Sequence, residues 1–582
     1  MPSPNDKPCD YDLKSMKSPY LSGAALKLVV ALLESPLRKL LTGKLLKDAG
    51  IQSLREKNID EAPTPNPLHF TGRFAAKGGS VPVEQHPDQK NASAKGFRFS
   101  GVFDYCEAYR QGRVTPTQVG ENVLNAIEAS NAAAPPLRAI IAVNRDDVLK
   151  QAEEAGRRIR DGEALSVFDG VPVAVKDELD MLPYPTTVGT IFLGKKPALE
   201  DASVVTRLRA AGALLIGKAN MHEIGLGVTG LNPHHGTARN PYNPAHYTGG
   251  SSSGPAAAVA AGLCPVAIGA DGGGSIRIPS AFCGLVGLKA TFGRISEYGA
   301  APLCWSVAHI GPLAVNAVDA ALTYGLIAGP DPNDPASLHQ PDPELTGWNQ
   351  LDLSDLRLGV YPQWFEHADS ELVVTCQKML TEFENLGAKI EEIAIPELES
   401  GRVAHIISIV GEMSQAQKQH YESNRRAYGL DVRLNMALAR QLTARDYVQA
   451  QRIRTRCIAH FKHAFEKVDV ILTPASAVPA PAIPAKALPD GDLDPQLSAE
   501  IMRFAPPANF TGFPAISFPA GYTAAGLPIG MQAMGRAWQE KILLRLAFAA
   551  ENFVERKKPQ IFYDILNPAR QSRTVANVKR EM

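Results

Sequence analysis

Two loops rich in glycine and serine constrain this chain more than any other feature. Gly249-Gly-Ser-Ser-Ser-Gly254 leads into a run of small residues suited to a helix, and a short apolar strand follows at 265–268. A second loop, Gly269-Ala-Asp-Gly-Gly-Gly-Ser-Ile-Arg-Ile-Pro279, closes the unit. Runs of glycine let backbone N–H groups converge without Cβ obstruction, the arrangement that cradles an oxyanion or a phosphate. One such loop alone reads as a packing turn. Two of them, both carrying serine hydroxyls and flanking one helix and one strand, point to a site.

The phosphate and metal readings fail on spacing. Gly225-Leu-Gly-Val-Thr-Gly230 fits G-x-G-x-x-G, but no clear strand precedes it and no acidic residue follows at about twenty positions. The GGSSSG loop lacks the Lys-Ser/Thr ending of a P-loop. His222-Glu223 has no second histidine four positions after the first, and His234-His235 reads as a loop pair. Neither a cofactor nor a metal ion is expected.

Length and charge narrow the class further. The 582 residues allow three to five domains, or fewer large ones. Sixty basic residues balance sixty acidic ones, which argues against a chain-wide footprint for nucleic acid. With 45% hydrophobic and 21% charged residues the composition is globular. Seven cysteines show no CxxC pair, so free thiols in a reducing, intracellular setting are expected. The N-terminus lacks the apolar stretch of a secretory signal, so Asn91-Ala-Ser93 and Asn509-Phe-Thr511 read as chance glycosylation sequons. No window approaches the roughly 20 apolar residues of a membrane span.

Along the chain, 20–49 reads as two short amphipathic helices joined by Ser35-Pro36, an N-cap and a first-turn proline. Five basic and two acidic side chains between 22 and 48 suit a helix pair lying on anionic lipid. A pair packed on its own core or on a second subunit fits the same pattern. The boundaries expected are an N-terminal helical cap at 1–58, a Pro/Gly-rich linker at 59–96, a main domain at 97–566 and a polar tail at 567–582. Thr115-Pro116-Thr117 starts a helix with Val119, Val123 and Ile127 on one side. Thr443 and Asp446 begin a long helix that ends near Lys467. Apolar runs at 170–175, 213–216, 265–268, 356–360, 468–472 and 515–518 alternate with helical patterns, which predicts an α/β fold with a mixed or mostly parallel sheet.

The strand ending in Lys176-Asp177, the GGSSSG loop and the GADGGGSIRIP loop, in this order, resemble the amidase signature family of serine hydrolases over about 97–560. That resemblance implies a mixed, twisted central sheet covered by helices. It also implies a triad of Ser275 as nucleophile, Ser251 as bridging serine in a cis peptide, and Lys176 as base. Backbone amides of Gly272, Gly273, Gly274 and Ser275 would form the oxyanion hole. The chemistry agrees: a serine hydroxyl needs a base to take its proton, and a lysine serves only when neutral, a state that burial at a strand end favours. Asp271 and Arg277 are expected to brace the second loop as an ion pair, and the Ser252 hydroxyl to brace the first. Two departures from the family pattern bear on loop support. Ala270 stands where the family usually has Thr, and His309 replaces an Asp common before Ile-Gly-Pro.

Within that family, KANMHEIGLGVTGLNPHHGTARNPYNP, SPYLSGAALKLVVALLESPL and PQIFYDIL are similar to the plant-type fatty acid amide hydrolases over about 18–566. This implies hydrolysis of fatty acid amides such as N-acylethanolamines by an intracellular homodimer peripheral on the endoplasmic reticulum or plasma membrane. The N-terminal helices become a membrane-facing cap. Leu26, Leu28, Met221, Leu226, Val228, Phe510 and Met531 would line an acyl channel. The alternatives are an amidase of aryl or indole acetamides, a transamidosome-type subunit, which the zero net charge disfavours, and a catalytically inactive interaction module.

Overall fold

Short, nearly continuous apolar runs make strands that are covered on both faces, and the structure, a computed structural model, builds one large sheet from them. It describes residues 10–15, 19–69 and 95–567. The Asn91 sequon, most of the 59–96 stretch and nearly all of the tail lie outside those residues. The sheet has eleven strands, in the order 389–392, 357–360, 470–474, 528–535, 515–522, 286–289, 310–314, 266–270, 172–176, 214–219 and 140–142. Four of the ten pairings are parallel and six antiparallel, so the sheet is mixed. Each of the six apolar runs forms a strand. The strands Val286–Lys289, Ile310–Ala314 and Pro528–Gly535 were not marked by such runs.

Helices cover the sheet. Thr115 caps Pro116–Ala132 by accepting from the Gln118 N–H, and Val119, Val123 and Ile127 are buried. Thr443 and Asp446 form the capping box of Ala444–Lys467, which runs on into the strand Val470–Pro474. Between the two serine-bearing loops, every residue of Ser253–Ala260 is buried. Its alanines combine high helix propensity with side chains small enough to be enclosed on all sides.

The N-terminal segment attaches to this body by a two-residue antiparallel pairing of Leu21–Ser22 with Asp492–Leu493. Leu26, Val30 and Leu33 of the helix Gly23–Leu33 pack against Leu430, Leu434 and Ala437. Lys27 reaches Asp490 at 2.7 Å, and Glu34 meets Arg433 at 2.7 Å. Ser35 accepts from the Leu37 N–H with Pro36 in the first turn, ahead of the helix Lys39–Asp48. The other face stays open: Leu28 is 62% and Leu37 57% exposed. The described start of the 59–96 stretch lies along the long helix. Thr64 N–H donates to the Gln451 carbonyl at 3.1 Å, and His69 stacks on Phe513 at 4.5 Å.

Asp492 makes the attachment sensitive to pH. Burial, and then the Asp431 carboxylate beside it, push its carboxyl up to about 6. A raised acid favours the folded state most when both states are protonated, and that advantage is lost as pH climbs from about 4 through 6. Asp492→Asn should therefore match the wild type at pH 4 and exceed it by about 1–3 kcal/mol above pH 7. Chemical denaturation at the two pH values checks this, and equal stability at both would refute it.

Candidate active site

The parallel pairing of Pro172–Lys176 with Val266–Ala270 brings the carboxyl ends of both strands to one edge of the sheet. Lys176 closes the first strand and Ala270 the second, so the two meet there. Lys176 Nζ lies 2.9 Å from Ser251 Oγ, 3.3 Å from the Ala270 carbonyl and 2.7 Å from Glu178 Oε2. Lys176, Ser251 and Glu178 are all buried.

The first serine loop is fixed largely by backbone. The Gly250–Ser251 peptide is cis. His222 N–H donates to the Ser251 carbonyl at 3.0 Å, and Ser252 N–H to the Ser275 carbonyl at 3.3 Å, which stitches the two loops together. Ser252 Oγ donates to the Ala270 carbonyl at 3.1 Å, the bracing role expected of it. The G-x-G-x-x-G segment packs against this loop. Gly230 has φ +85°, and a Cβ there would fall 2.5 Å from that of Ser253. A Cβ on Gly225 would sit 3.6 Å from Ser251 Oγ. Gly230 thus makes room for Ser253.

Asp271 organises the second loop. Its carboxylate accepts from Gly274 N–H at 2.5 Å, Ile276 N–H at 3.1 Å and Arg277 Nε at 3.0 Å. Burial alone would raise this carboxyl, but the Arg277 guanidinium and these N–H groups hold it far below the usual carboxylate range. Arg277 also donates to the Ala505 carbonyl, Gln532 and Asn509. The expected ion pair is thus one edge of a larger network. Asn509 is completely buried and donates to the Asp271 and Val307 carbonyls, so its sequon is part of the interior.

One of the four amides assigned to the oxyanion hole is already engaged. Gly274 N–H points at Asp271, whereas those of Gly272, Gly273 and Ser275 donate to no acceptor among the described residues. Ser275 Oγ is likewise without a hydrogen-bond partner among them. His405, which the sequence did not single out, lies behind this turn. Burial pulls its pKa down to about 4, so the ring is neutral, and Nε2–H donates to the Gly272 carbonyl at 2.8 Å. His309 is buried and held neutral by burial and Lys289. Its own carbonyl accepts the Asp271 N–H at 2.7 Å.

Apolar residues border the two loops. Met221, Leu303, Cys304, Val307 and Met413 form one cluster with Leu226 and Ile409 at its margin, and Gly225 and Gly272 lie against it. Val228, Ile278, Ile501 and Ala505 form a second with Met502, beside Gly273 and Gly274. Met221 belongs to the first cluster, with Leu226 packed against it, and Val228 to the second. Phe510 is one shell behind, edge-on to His405 at 6.3 Å between ring centroids. Leu26 is enclosed under the N-terminal helix, Leu28 faces out, and Met531 belongs to the main core. Neither cluster beside the two serine loops contains these three.

Among the described residues no cluster of metal-ligating side chains occurs: His222 pairs with Asp431 at 2.9 Å and His234 with Glu223 at 2.8 Å. A free hydroxyl beside unpaired amides, with a lysine one serine away, is equipped for acyl transfer.

Comparison with known proteins agrees. The chain is 40% identical to a fatty acid amide hydrolase of Arabidopsis thaliana over 96% of both chains. It is 38% identical to a fatty acid amide hydrolase of Medicago truncatula, over 96% of this chain and 98% of that one. The crystal structure of a peptide amidase from Stenotrophomonas maltophilia superposes with a TM-score of 0.66 at 27% identity, covering 79% of this chain and 98% of that one. With a sequence model described as Amidase matching residues 121–544, the chain belongs to the amidase signature family of amide hydrolases.

Proposed function

We propose that this protein hydrolyses fatty acid amides, N-acylethanolamines among them, to fatty acid and amine through Ser275, Ser251 and Lys176. The observation that carries the reading is the 2.9 Å contact of Lys176 Nζ with Ser251 Oγ inside loops flanked by two apolar clusters. In this scheme Ser275 Oγ attacks the acyl carbon, and its proton passes through Ser251 to Lys176. The free amides of Gly272, Gly273 and Ser275 receive the developing oxyanion. The proton then returns through Ser251 to the departing amine, leaving an acyl-enzyme. Water repeats the cycle on the ester and frees Ser275.

The acyl chain is read as lying along Met221, Leu226, Met413 and Met502, side chains whose flexibility suits a varied tail. No described helix is long and apolar enough to cross a membrane. Leu28 and Leu37, outward-facing among Arg38, Lys39, Lys44 and Lys47, fit a peripheral contact with anionic lipid. The homodimer implied by the resemblance is part of the same reading, and sedimentation of the full chain tests it.

Each methylene of the acyl chain that reaches an apolar wall should contribute up to about 0.8 kcal/mol, roughly fourfold in kcat/KM, until the walls are filled. A panel of amides of increasing chain length measures this, and a flat profile rejects the fatty acid reading. Leu28→Ser with Leu37→Ser should leave turnover of short soluble amides unchanged and lower turnover of long-chain amides presented in anionic vesicles. Equal turnover of the vesicle substrate by variant and wild type would remove the lipid contact from this account.

A further inference from the structure

A lysine that serves as a base needs a lone pair aimed at its donor, and the surroundings of Lys176 supply the aim. Three acceptors surround Nζ: Glu178 Oε2 at 2.7 Å, Ser251 Oγ at 2.9 Å and the Ala270 carbonyl at 3.3 Å. An ammonium fills all three directions with N–H groups. A neutral amine has two N–H groups and one lone pair. The Ala270 carbonyl and the Glu178 carboxylate can only accept, whereas a serine hydroxyl can donate. The lone pair of neutral Lys176 must therefore face Ser251. We propose, on the basis of the Lys176 reading above, that Glu178 is the positioning residue of the base: its carboxylate, 2.7 Å from Nζ, fixes this orientation, and removing its charge is expected to change the pH profile of the reaction.

The neighbourhood leaves Glu178 as the carboxylate in contact with Lys176. It sits in the wall of a cavity of about 600 Å³ that also exposes Ala270, Glu297, Cys304, His309 and Asp334. Burial, followed by the carboxylates of Asp334, Glu178 and Glu412, holds the Glu297 carboxyl well above its ordinary range. Burial and Glu412, then Glu178 and Glu297, push the Cys304 thiol up as well. Glu412 is engaged by Ser306 and Tyr447. Asp177, next in sequence, turns away to Thr187, Gly189 and Lys218. His309 is neutral, as described above.

The test follows the rate at which a fluorophosphonate labels Ser275, as a function of pH, in the full chain. Labelling needs the serine proton removed but no amine to leave, so it reads the base directly. Glu178→Gln keeps the shape and one acceptor oxygen and removes the charge. Its half-maximal rate should fall at a pH lower by about one unit or more, and its plateau should drop by about tenfold, since general-base assistance is worth 10²–10⁴ when complete. Glu178→Asp keeps the charge and loses the reach: the wild-type midpoint should persist with a lowered plateau. Both of those outcomes support the proposal, and a merely structural residue would move neither midpoint. A wild-type midpoint and plateau in Glu178→Gln overturns it. Should that variant not fold, a wild-type plateau in Glu178→Asp overturns it instead. Lys176→Ala in the same assay separates the two readings: wild-type labelling there removes Lys176 as the base, whereas lost labelling beside an unaffected Glu178→Gln removes the role of Glu178 alone.

Discussion

Ser275→Ala is expected to abolish both turnover and fluorophosphonate labelling, with activity falling by about 10⁴-fold or more. The hydroxyl it removes is the one that lies beside the unpaired amides of Gly272 and Gly273. The neighbouring serines are not placed to replace it: Ser252 is tied to Ala270, Ser251 to Lys176, and Ser253 and Ser280 are completely buried. The fold should survive, because Ser275 contributes its carbonyl, not its side chain, to the stitch between the loops. Retained labelling at another serine would overturn the assignment. Lys176→Ala should act differently on different substrates. An amide leaves as a poor leaving group that must receive a proton, whereas an ester needs less help. The loss should therefore be greater on an amide than on its matched ester, and equal losses would sink the proposed relay.

Arg277→Met should cost about 3–5 kcal/mol of stability. The side chain is completely buried, and its removal strands the Asp271 carboxylate together with the acceptors of Gln532 and Asn509. A buried anion deprived of its partner is far costlier than the intact pair is stabilising. The gap should depend on pH with a definite sign. Wild-type Asp271 is held far below the usual carboxylate range, so its contribution is complete above about pH 4 and fades as the unfolded chain takes up a proton in acid. In the variant that depression is lost. Wild type and variant should differ most near neutrality and converge toward pH 3. Urea denaturation at pH 7 and at acid pH measures the gap, and a loss under 1 kcal/mol at pH 7 would mean that the loop has an alternative support.

The sequence revealed what local pattern carries. Strands such as Pro172–Lys176 and Val470–Pro474 open on unbroken apolar runs, Pro172 to Val175 and Val470 to Leu472, and announce themselves. Val286–Lys289 and Pro528–Gly535 do not, because glycines and a glutamine interrupt them, and their place depends on neighbours remote in sequence. The same division holds at the site. Lys176, Ser251 and the Gly272–Ser275 turn sit in dense motifs, and the sheet brings their segments to one edge. Asn509 and His405 meet the turn from helices more than 130 residues away, through hydrogen bonds that leave no trace in spacing. Glu178 stood next to the motif, yet strand alternation says nothing about a residue just past the strand's end. Leu26 and Leu28 are two positions apart on a helix, about 200° around its axis, so one is buried and the other faces out.

The His309 carbonyl carries a consequence for how this loop can change over generations. Asp271 takes its rear support from the main chain of position 309, and any residue offers the same oxygen there. The side chain at 309 is not what accepts that N–H, although its ring lies 3.5 Å from Asn509 Nδ2, which also donates to Asp271. A shift from carboxylate to imidazole then demands only that the newcomer fit its pocket and stay uncharged, as His309 does against Phe292. A departure at position 309 therefore leaves the main-chain support of Asp271 in place.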